Sequence, residues 1–284
     1  MKTWSETLEP TDFTATYKIG RMLHEARSAH QHVQLFENAI MGRVLVLDGV
    51  VQTTERDEFI YHEMLVHVPV LAHGAARRVL VIGGGDGGAL EELFKHEGVE
   101  TATLVDIDRT VIDLARRFLS SICQGAFDDP RLDLVIADGC KYVAETDQRY
   151  DVIIVDSPDP VGPGAVLFTA DFYADCRRCL NDGGVLVTQN GVPFTQSEEL
   201  RGSMTALKKL FADACCYLTH VPSYVGGAMA LGWASDDSEL RRTPLETLRK
   251  RFGQAGLETR YYTPAVHQAA FALPRYIEKL VGRD

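Results

Sequence analysis

From residue 79 onward, short apolar runs alternate along the chain with stretches whose apolar positions recur at helical spacing. Runs of the first kind predict buried strands, and stretches of the second kind predict amphipathic helices. The predicted strands cover 79–82, 101–105, 132–137, 151–155 and 184–189, with two more near 217–221 and 228–234. The predicted helices cover 110–119, 168–180, 198–211 and 243–252, and one more follows the first strand from residue 89. This alternation indicates an α/β fold in which helices cover both faces of a mostly parallel sheet.

The first part of the chain has a different pattern. Residues 1–32 give no firm assignment, and 16–26 fit either a strand or a loop. Short strands are predicted at 33–37, 43–47 and 50–53, with turns at 38–42 and at Asp48-Gly49, a strong hairpin signal between apolar runs. A helix over 55–71 follows and ends at His73-Gly74. We therefore divide the chain into an N-terminal β-hairpin domain with its linking helix, residues 1–73, and an α/β domain, residues 74–284.

A glycine-rich turn follows the first strand of the α/β domain. Residues 79–88 read Val-Leu-Val-Ile-Gly-Gly-Gly-Asp-Gly-Gly, and Gly83, Gly85 and Gly88 match the Gly-x-Gly-x-x-Gly pattern of a nucleotide-binding βαβ unit. In a dinucleotide fold, this turn and the following helix N-terminus receive an anionic pyrophosphate. A carboxylate at Asp86 would repel that anion. Asp86 therefore indicates a ligand that is neutral or cationic where it meets the turn.

Composition and charge exclude several classes of function. The 284 residues carry a formal net charge of −11 and no basic run, so a nucleic-acid partner is not expected. No apolar run is long enough to span a membrane, and the first residues lack the apolar core of a signal peptide. With these features, six cysteines favour reduced thiols and a cytoplasmic protein.

Three further carboxylates follow predicted strands. Asp106, Asp138 and Asp156 each come directly after an apolar run, and in open α/β sheets ligands bind beyond the carboxyl ends of the strands. Asp106 lies 20 residues beyond Asp86, where a carboxylate typically binds a ribose diol, and Asp138-Gly139 would lie beside an adenine. Taken singly, each aspartate could instead cap a helix. Their number, together with the glycine turn, favours a ligand site.

The segment after Asp156 predicts a lid. Residues 156–164 read Asp-Ser-Pro-Asp-Pro-Val-Gly-Pro-Gly, a loop composition with three prolines and two glycines. Asp156 and Asp159 together suit an ammonium group, which has three donors and no acceptor. A magnesium site on the same pair is the competing interpretation. His62 and His67 lie five residues apart, which is not the spacing of a helical zinc motif.

Four segments of the chain resemble the spermidine synthase family. They are residues 47–64 (Leu-Asp-Gly-Val-Val-Gln-Thr-Thr-Glu-Arg-Asp-Glu-Phe-Ile-Tyr-His-Glu-Met), 83–88, 156–164 and 261–274. The resemblance implies a small N-terminal β domain and a Rossmann-like, methyltransferase-type catalytic domain. It also implies transfer of an aminopropyl group from decarboxylated S-adenosylmethionine to putrescine, giving spermidine and methylthioadenosine. The family uses no metal and no prosthetic group, and a homodimer or homotetramer is expected.

The resemblance also implies roles for individual residues. Asp156 matches the proton acceptor of the family, Asp159 its amine-binding partner, and Asp86 the carboxylate that holds the amine of the donor. The nucleoside contacts are matched by Gln31, Gly83, Gly85, Asp106, Asp138, Gly139 and the lid residue Pro163. The polyamine channel is matched by Gln52, Tyr61, His62 and Tyr224.

The chain departs from the family pattern at several positions. Asp106 stands where glutamate is usual, Pro158 replaces serine or threonine between the lid aspartates, and Glu91 stands where a basic residue is common. Residues 228–233 lack an expected Thr-Phe-Ala run. The acceptor therefore stays open to another amine. An S-adenosylmethionine methyltransferase, a catalytically silent nucleoside-binding protein and an NAD-dependent dehydrogenase are the alternatives, and Asp86 argues against the first and last.

Overall fold

The computed structural model describes residues 2–8, 13–159 and 162–282. Its strands are β1 (Thr3–Leu8), β2 (Phe13–Lys18), β3 (Arg21–Arg27), β4 (His32–Asn38), β5 (Gly42–Leu47), β6 (Val50–Thr54), β7 (Arg78–Gly83), β8 (Thr101–Asp106), β9 (Leu132–Ile136), β10 (Tyr150–Asp156), β11 (Leu180–Gln189), β12 (Asp213–Thr219) and β13 (Met229–Ser235). Its helices are α1 (Glu58–His73), α2 (Gly88–Phe94), α3 (Arg109–Phe118), α4 (Ser120–Cys123), α5 (Gly139–Glu145), α6 (Ala170–Arg178), α7 (Ser197–Leu210), α8 (Leu245–Ala255), α9 (Pro264–Ala270) and α10 (Arg275–Leu280).

A seven-stranded sheet forms the larger part of the molecule. Its strand order is β12-β13-β11-β10-β7-β8-β9. The pairs β11–β10, β10–β7, β7–β8 and β8–β9 are parallel, whereas β13 is antiparallel to both of its neighbours. The order reverses between β7 and β10, and ligands bind at such a switch point in open α/β sheets. This confirms the predicted mostly parallel sheet.

Alternate residues of the central strands belong to two separate cores. Val79 and Val81 pack with the helix α1 side of the sheet, whereas Leu80 and Ile82 pack with α6 and α7 on the other side. Because both faces are covered, these strands have to be apolar throughout, and this is why they read as continuous apolar runs. Helix α1 contacts β10, β11 and α2, and its residues 61–72 are all buried. The helix ends as predicted, with Gly74 at a left-handed φ of +75°.

The N-terminal part forms two small antiparallel sheets, β1-β2 and β3-β4-β5-β6. Their shared core contains Phe36, Val44, Val46 and Val51, and Trp4 packs against Phe36 with ring centroids 5.7 Å apart. The small antiparallel unit is thus confirmed. Residues 16–26, left open as strand or loop, belong to β2, β3 and the turn between them.

Several element boundaries differ from the predictions. The predicted helix 55–71 begins only at Glu58, because residues 55–57 form a turn in which Thr54 donates a hydrogen bond to Asp57 over 2.6 Å. The predicted helix 168–180 is α6, and residues 162–168 before it form a 3₁₀ turn. The sequence does not predict helices α4, α5, α9 and α10. No helix in the described part of the chain is long and apolar enough to cross a membrane.

Candidate active site

The glycine turn lies at the carboxyl end of β7, against the end of β10. Gly83, Gly84 and Gly87 all have a left-handed φ, between +70° and +81°. A Cβ atom on Gly83 would lie 2.0 Å from the backbone oxygen of Asp156, and one on Gly85 would lie 2.6 Å from Oδ2 of Asp106. A Cβ atom on Gly84 would lie 3.0 Å from Oδ2 of Asp156. The carboxylates of Asp106 and Asp156 therefore both lie close to the turn, and at Gly83 and Gly85 only glycine allows so close an approach.

Asp86 projects from this turn toward the buried imidazole of His62. Its Oδ1 accepts a hydrogen bond from the backbone N–H of Gly88 over 3.0 Å, and its Oδ2 lies 3.6 Å from Nε2 of His62. Nδ1 of His62 is 2.9 Å from Oε2 of Glu58. Burial alone would lower the pKa of His62, but Asp86, Glu58 and Asp156 outweigh it and raise the pKa to about 10. His62 is therefore a cation among carboxylates near neutral pH.

Asp156 ends β10 and lies on the opposite side of the turn from Asp106. Burial raises the pKa of Asp156 to about 6; the charge of Asp86 adds to the rise, whereas His62 and Tyr61 oppose it. The Tyr61 hydroxyl donates a hydrogen bond to Oδ1 of Asp156 over 2.8 Å. This carboxylate is a stronger base than an ordinary aspartate, and it is held in place by a neutral donor.

Tyr224 lies beside Tyr61 in the same part of the site. Its ring lies edge-on to that of Tyr61, with centroids 5.8 Å apart, and its hydroxyl donates a hydrogen bond to the backbone oxygen of Gln52 over 2.6 Å. The side chain of Gln52 donates to the backbone oxygen of Val50. Tyr61, Tyr224 and Gln52, three of the residues matched to a polyamine channel, are thus in contact. The N-terminal sheet contributes Gln52 to this group through β6.

The residues predicted to bind a nucleoside follow β8 and β9. Burial raises the pKa of Asp106 to about 6, and its Oδ1 accepts a hydrogen bond from the backbone N–H of Asp108 over 2.7 Å. Asp138 caps α5 through the backbone N–H groups of Cys140 and Lys141, as the helix-cap interpretation predicted. A Cβ atom on Gly139 would lie 2.4 Å from Ile82. The side chain of Pro163 lies outside the described residues, so its lid contact stays a prediction.

Asp159 follows Asp156 by three residues and is held by two glutamine side chains. Its two carboxylate oxygens accept hydrogen bonds from Nε2 of Gln189 over 2.9 Å and from Nε2 of Gln196 over 2.7 Å. Two further carboxyl groups, Glu6 and Glu199, interact electrostatically with Asp159. Burial, with a smaller effect from Asp159, raises the pKa of Glu6 to about 7 and that of Glu199 to about 8.

The sequence does not predict these four residues around Asp159. Glu6 lies in β1, Gln189 ends β11, and Gln196 and Glu199 lie at the start of α7. None of them belongs to a recognisable spacing pattern. The position of Gln189 after an apolar run, like that of the aspartates, was the one available signal.

One group of side chains in the described residues has the separations of a metal site. Ligand atoms of His62, Asp86 and Asp156 all lie within 4.8 Å of one another. A metal ion there would have to displace the proton of His62, whose pKa lies well above neutral. The same carboxylates can accept hydrogen bonds from an ammonium group without any such displacement.

The sheet order, the glycine turn and the crossover helices define a Rossmann-like fold of the methyltransferase type. Residues 58–244 match the family model of the spermine/spermidine synthase domain, and residues 3–55 match that of the spermidine synthase tetramerisation domain. The chain is 58% identical to polyamine aminopropyltransferase 1 of Pseudomonas aeruginosa over 284 residues, covering 100% of this chain and 99% of that protein. It is 54% identical to polyamine aminopropyltransferase of Pseudomonas syringae, covering 100% and 99%.

Solved structures of spermidine synthases are also similar to this chain. A spermidine synthase in complex with the transition-state analogue AdoDATO has a TM-score of 0.94 and 37% identity, with 99% of this chain and 95% of that chain covered. Spermidine synthase from Thermotoga maritima has a TM-score of 0.91 and 35% identity, with 100% and 95% covered. The chain therefore belongs to the spermidine synthase family. It is an aminopropyltransferase of polyamine biosynthesis.

Proposed function

We propose that the enzyme transfers the aminopropyl group of decarboxylated S-adenosylmethionine to putrescine, giving spermidine and methylthioadenosine. The observation that carries the proposal is the placement of Asp86 in the glycine turn, with Asp106 and Asp156 on either side. The nucleoside of the donor would lie along Asp106 and Asp138, and the donor's ammonium group would meet Asp86. A donor that kept its amino-acid carboxylate would bring a negative charge to the same place.

The chemistry follows from the donor. The neutral amine of the acceptor attacks the methylene carbon beside the sulfonium, so a C–N bond forms while the C–S bond breaks. The bonding electron pair goes to sulfur, which leaves as a neutral thioether. A free aliphatic amine has a pKa near that of lysine, about 10, so the bound ammonium must lose a proton before attack. Asp156 is the proton acceptor in this proposal, and the rise of its pKa to about 6 makes it a better base.

The second ammonium of a diamine needs its own anionic partners. Asp159 supplies such a partner beyond Asp156, and the carboxyl groups of Glu6 and Glu199 interact with it. A bound ammonium would favour the ionised form of these two groups, whose pKa values are raised by burial in the unliganded enzyme. Glu199 has a buried Oε1 with no hydrogen-bond partner, so an ammonium group there would gain an acceptor. This arrangement supports a diamine acceptor over a monoamine.

The donor preference provides the test. Calorimetry should give a much lower Kd for decarboxylated S-adenosylmethionine than for S-adenosylmethionine, and Asp86→Asn should narrow the difference. Mass spectrometry of the reaction with putrescine should detect spermidine and methylthioadenosine. Equal affinities for the two donors would contradict the electrostatic argument. Methyl transfer from S-adenosylmethionine would favour the methyltransferase alternative.

An oligomer is part of the same proposal. Residues 3–55 match a family model described as a tetramerisation domain, which supports a homotetramer more than a homodimer. Light scattering coupled to gel filtration should give the mass of a tetramer. A monomer at micromolar concentration would contradict this part of the proposal without affecting the proposed reaction.

A further inference from the structure

Asp108 lies at the junction between the N-terminal sheet and the α/β domain. It is only 2% exposed and follows Asp106 by two residues. Its Oδ1 caps α3 by accepting a hydrogen bond from the backbone N–H of Thr110 over 2.9 Å. Its Oδ2 accepts two more, from the hydroxyl of Ser28 over 2.6 Å and from Nε2 of Gln31 over 3.0 Å. Ser28 and Gln31 belong to the turn between β3 and β4, so this carboxylate joins the two parts of the molecule.

The carboxylate fixes the orientation of the Gln31 amide. An ionised carboxylate only accepts hydrogen bonds, so the NH₂ end of the amide must face Asp108. The oxygen Oε1 is then left on the other end as an acceptor. Burial alone would raise the pKa of Asp108, but the hydrogen bonds from Ser28, Thr110 and Gln31 outweigh it and hold the pKa below its usual value. Asp108 is therefore ionised near neutral pH.

Asp108 also acts on the carboxylate predicted to bind the ribose. Its backbone N–H donates a hydrogen bond to Oδ1 of Asp106 over 2.7 Å. Asp106 is one methylene shorter than the usual glutamate, so its reach depends more closely on its backbone position. One residue thus orients both Gln31 and Asp106, which come from different sheets.

We propose that Asp108 is a positioning residue that makes the nucleoside site selective for an intact ribose diol. It does so by turning Oε1 of Gln31 toward the ligand, so that Gln31 and Asp106 both present acceptors to ribose hydroxyls. This inference rests on the proposed function, because it assumes that a nucleoside binds along Asp106. The site would then discriminate against a sugar that lacks one of its two hydroxyl donors.

The test compares nucleosides in wild-type enzyme and in Asp108→Asn. Asparagine caps a helix as well as aspartate does, so α3 is preserved. Its NH₂ group, however, allows Gln31 to turn its oxygen inward and to present NH₂ to the ligand. The probes are 5′-methylthioadenosine and its 2′-deoxy and 3′-deoxy counterparts, measured by calorimetry. Wild-type enzyme should bind the intact nucleoside about tenfold or more tightly than at least one deoxy form, the usual cost of a polar group left unpaired.

In Asp108→Asn, affinity for the intact nucleoside should fall about tenfold while affinity for that deoxy form changes little, so the preference disappears. Gln31→Leu should lose the same preference, and the double variant should lose no more, because both changes remove one interaction. Asp113→Asn removes an exposed carboxylate from the same helix and should keep the wild-type preference. The KM for the diamine should be unchanged in Asp108→Asn.

The possible results distinguish a failure of the proposed function from a failure of the positioning role of Asp108. If wild-type enzyme binds no nucleoside, the proposed function fails and this inference fails with it. If wild-type enzyme shows the preference but Asp108→Asn keeps it, or loses affinity equally for all three nucleosides, the positioning role alone is overturned. If Asp108→Asn does not fold, Gln31→Leu decides, and an unchanged preference in that variant overturns the inference.

Discussion

Asp156 and Asp159 are three residues apart, but their surroundings give them different chemistry. Asp156 is paired with the hydroxyl of Tyr61, and burial raises its pKa, whereas Asp159 is fixed by the amides of Gln189 and Gln196. A raised pKa suits a group that must take up a proton. Two hydrogen bonds from amide groups hold the Asp159 carboxylate in one orientation, which suits a group that binds a cation.

This difference predicts different effects of one conservative change. Asp156→Asn removes the proton acceptor and should lower kcat by about two to four orders of magnitude. Asp159→Asn should mainly raise the KM for the diamine and leave kcat less affected. Steady-state kinetics with both substrates varied measures the two effects. Near-normal turnover in Asp156→Asn would exclude it as the base, and a pure kcat effect in Asp159→Asn would contradict its binding role.

At the scale of elements, the glycine turn and helix α1 are fitted to each other at Gly88. A Cβ atom on Gly88 would lie 2.2 Å from the ring of His62, which is buried and linked to Glu58. Gly98 lies in the connection between α2 and β8, and a Cβ atom there would have no neighbour within 4 Å. Alanine substitutions at Gly88 and Gly98 therefore separate the steric effect of an added methyl group from the effect of losing a glycine.

Gly88→Ala should lower the free energy of unfolding by about 1–3 kcal/mol, the usual cost of overpacking, and should displace His62 from Asp86. The KM for the donor should rise as a result. Gly98→Ala is the matched control and should change neither quantity appreciably. Chemical denaturation and donor titrations measure both. Equal effects of the two substitutions would contradict the close fit between the turn and α1.

A second constraint on local geometry lies at Pro158, between Asp156 and Asp159. Proline fixes φ, and Asp159 beyond it is held by two glutamines, so the spacing of Asp156 and Asp159 has little freedom. A misplaced methylene typically costs about 1–3 kcal/mol, so a fixed spacing should favour one diamine length. We expect a clear preference for putrescine over cadaverine and diaminopropane, and Pro158→Thr should broaden it. The ratio of kcat/KM among the three diamines in both proteins measures this, and an unchanged ratio would exclude the proline as its cause.

Elements were predictable where burial makes the pattern strong. Strands such as β7 and β10 are covered on both faces, so they read as apolar runs and were placed within a few residues. Strands β2 and β3 have many exposed positions and no apolar run, so the sequence left them open. The short helices α9 and α10 are held by packing against the rest of the fold, and a short segment has too few turns to show a helical period.

Across the whole molecule, the site residues that the sequence predicts are those that come after the carboxyl ends of strands. Asp86, Asp106 and Asp156 converge because parallel strands bring their carboxyl ends to one edge. Glu6 and Glu199 reach Asp159 from β1 and α7, and their approach depends on how the N-terminal sheet and α7 pack. Tertiary packing of that kind leaves no local pattern in the sequence. The link between Asp108 and Gln31 also crosses from one sheet to the other.

The carboxyl groups and His62 also determine how the stability of the unliganded enzyme depends on pH. Burial raises the pKa of Glu199 to about 8. Burial would lower the pKa of His62, but its carboxylate neighbours outweigh burial and raise the pKa to about 10. Both values lie above the unfolded values of 4.5 and 6.5. Between pH 7 and 9.5 the folded state therefore holds protons that the unfolded state has released. Burial lowers the pKa values of His67, His96 and His267 to about 3. Near pH 7 these histidines oppose the effect, because their unfolded forms still bind some protons, whereas above pH 8 they are neutral in both states and contribute no slope.

The raised pKa values determine the sign of the change in stability with pH. A raised folded-state pKa gives stability that is present below the unfolded pKa and is lost as pH rises through the folded one. The free energy of unfolding should therefore fall from pH 8 to 9.5, by at most about 1.4 kcal/mol per pH unit for each proton involved. Urea denaturation at intervals across this range measures the slope. Glu199→Gln should flatten it around pH 8, whereas Glu198→Gln, an exposed neighbour on the same helix, should leave it unchanged. A stability that is constant or rises over this range would contradict the raised pKa values of the buried site.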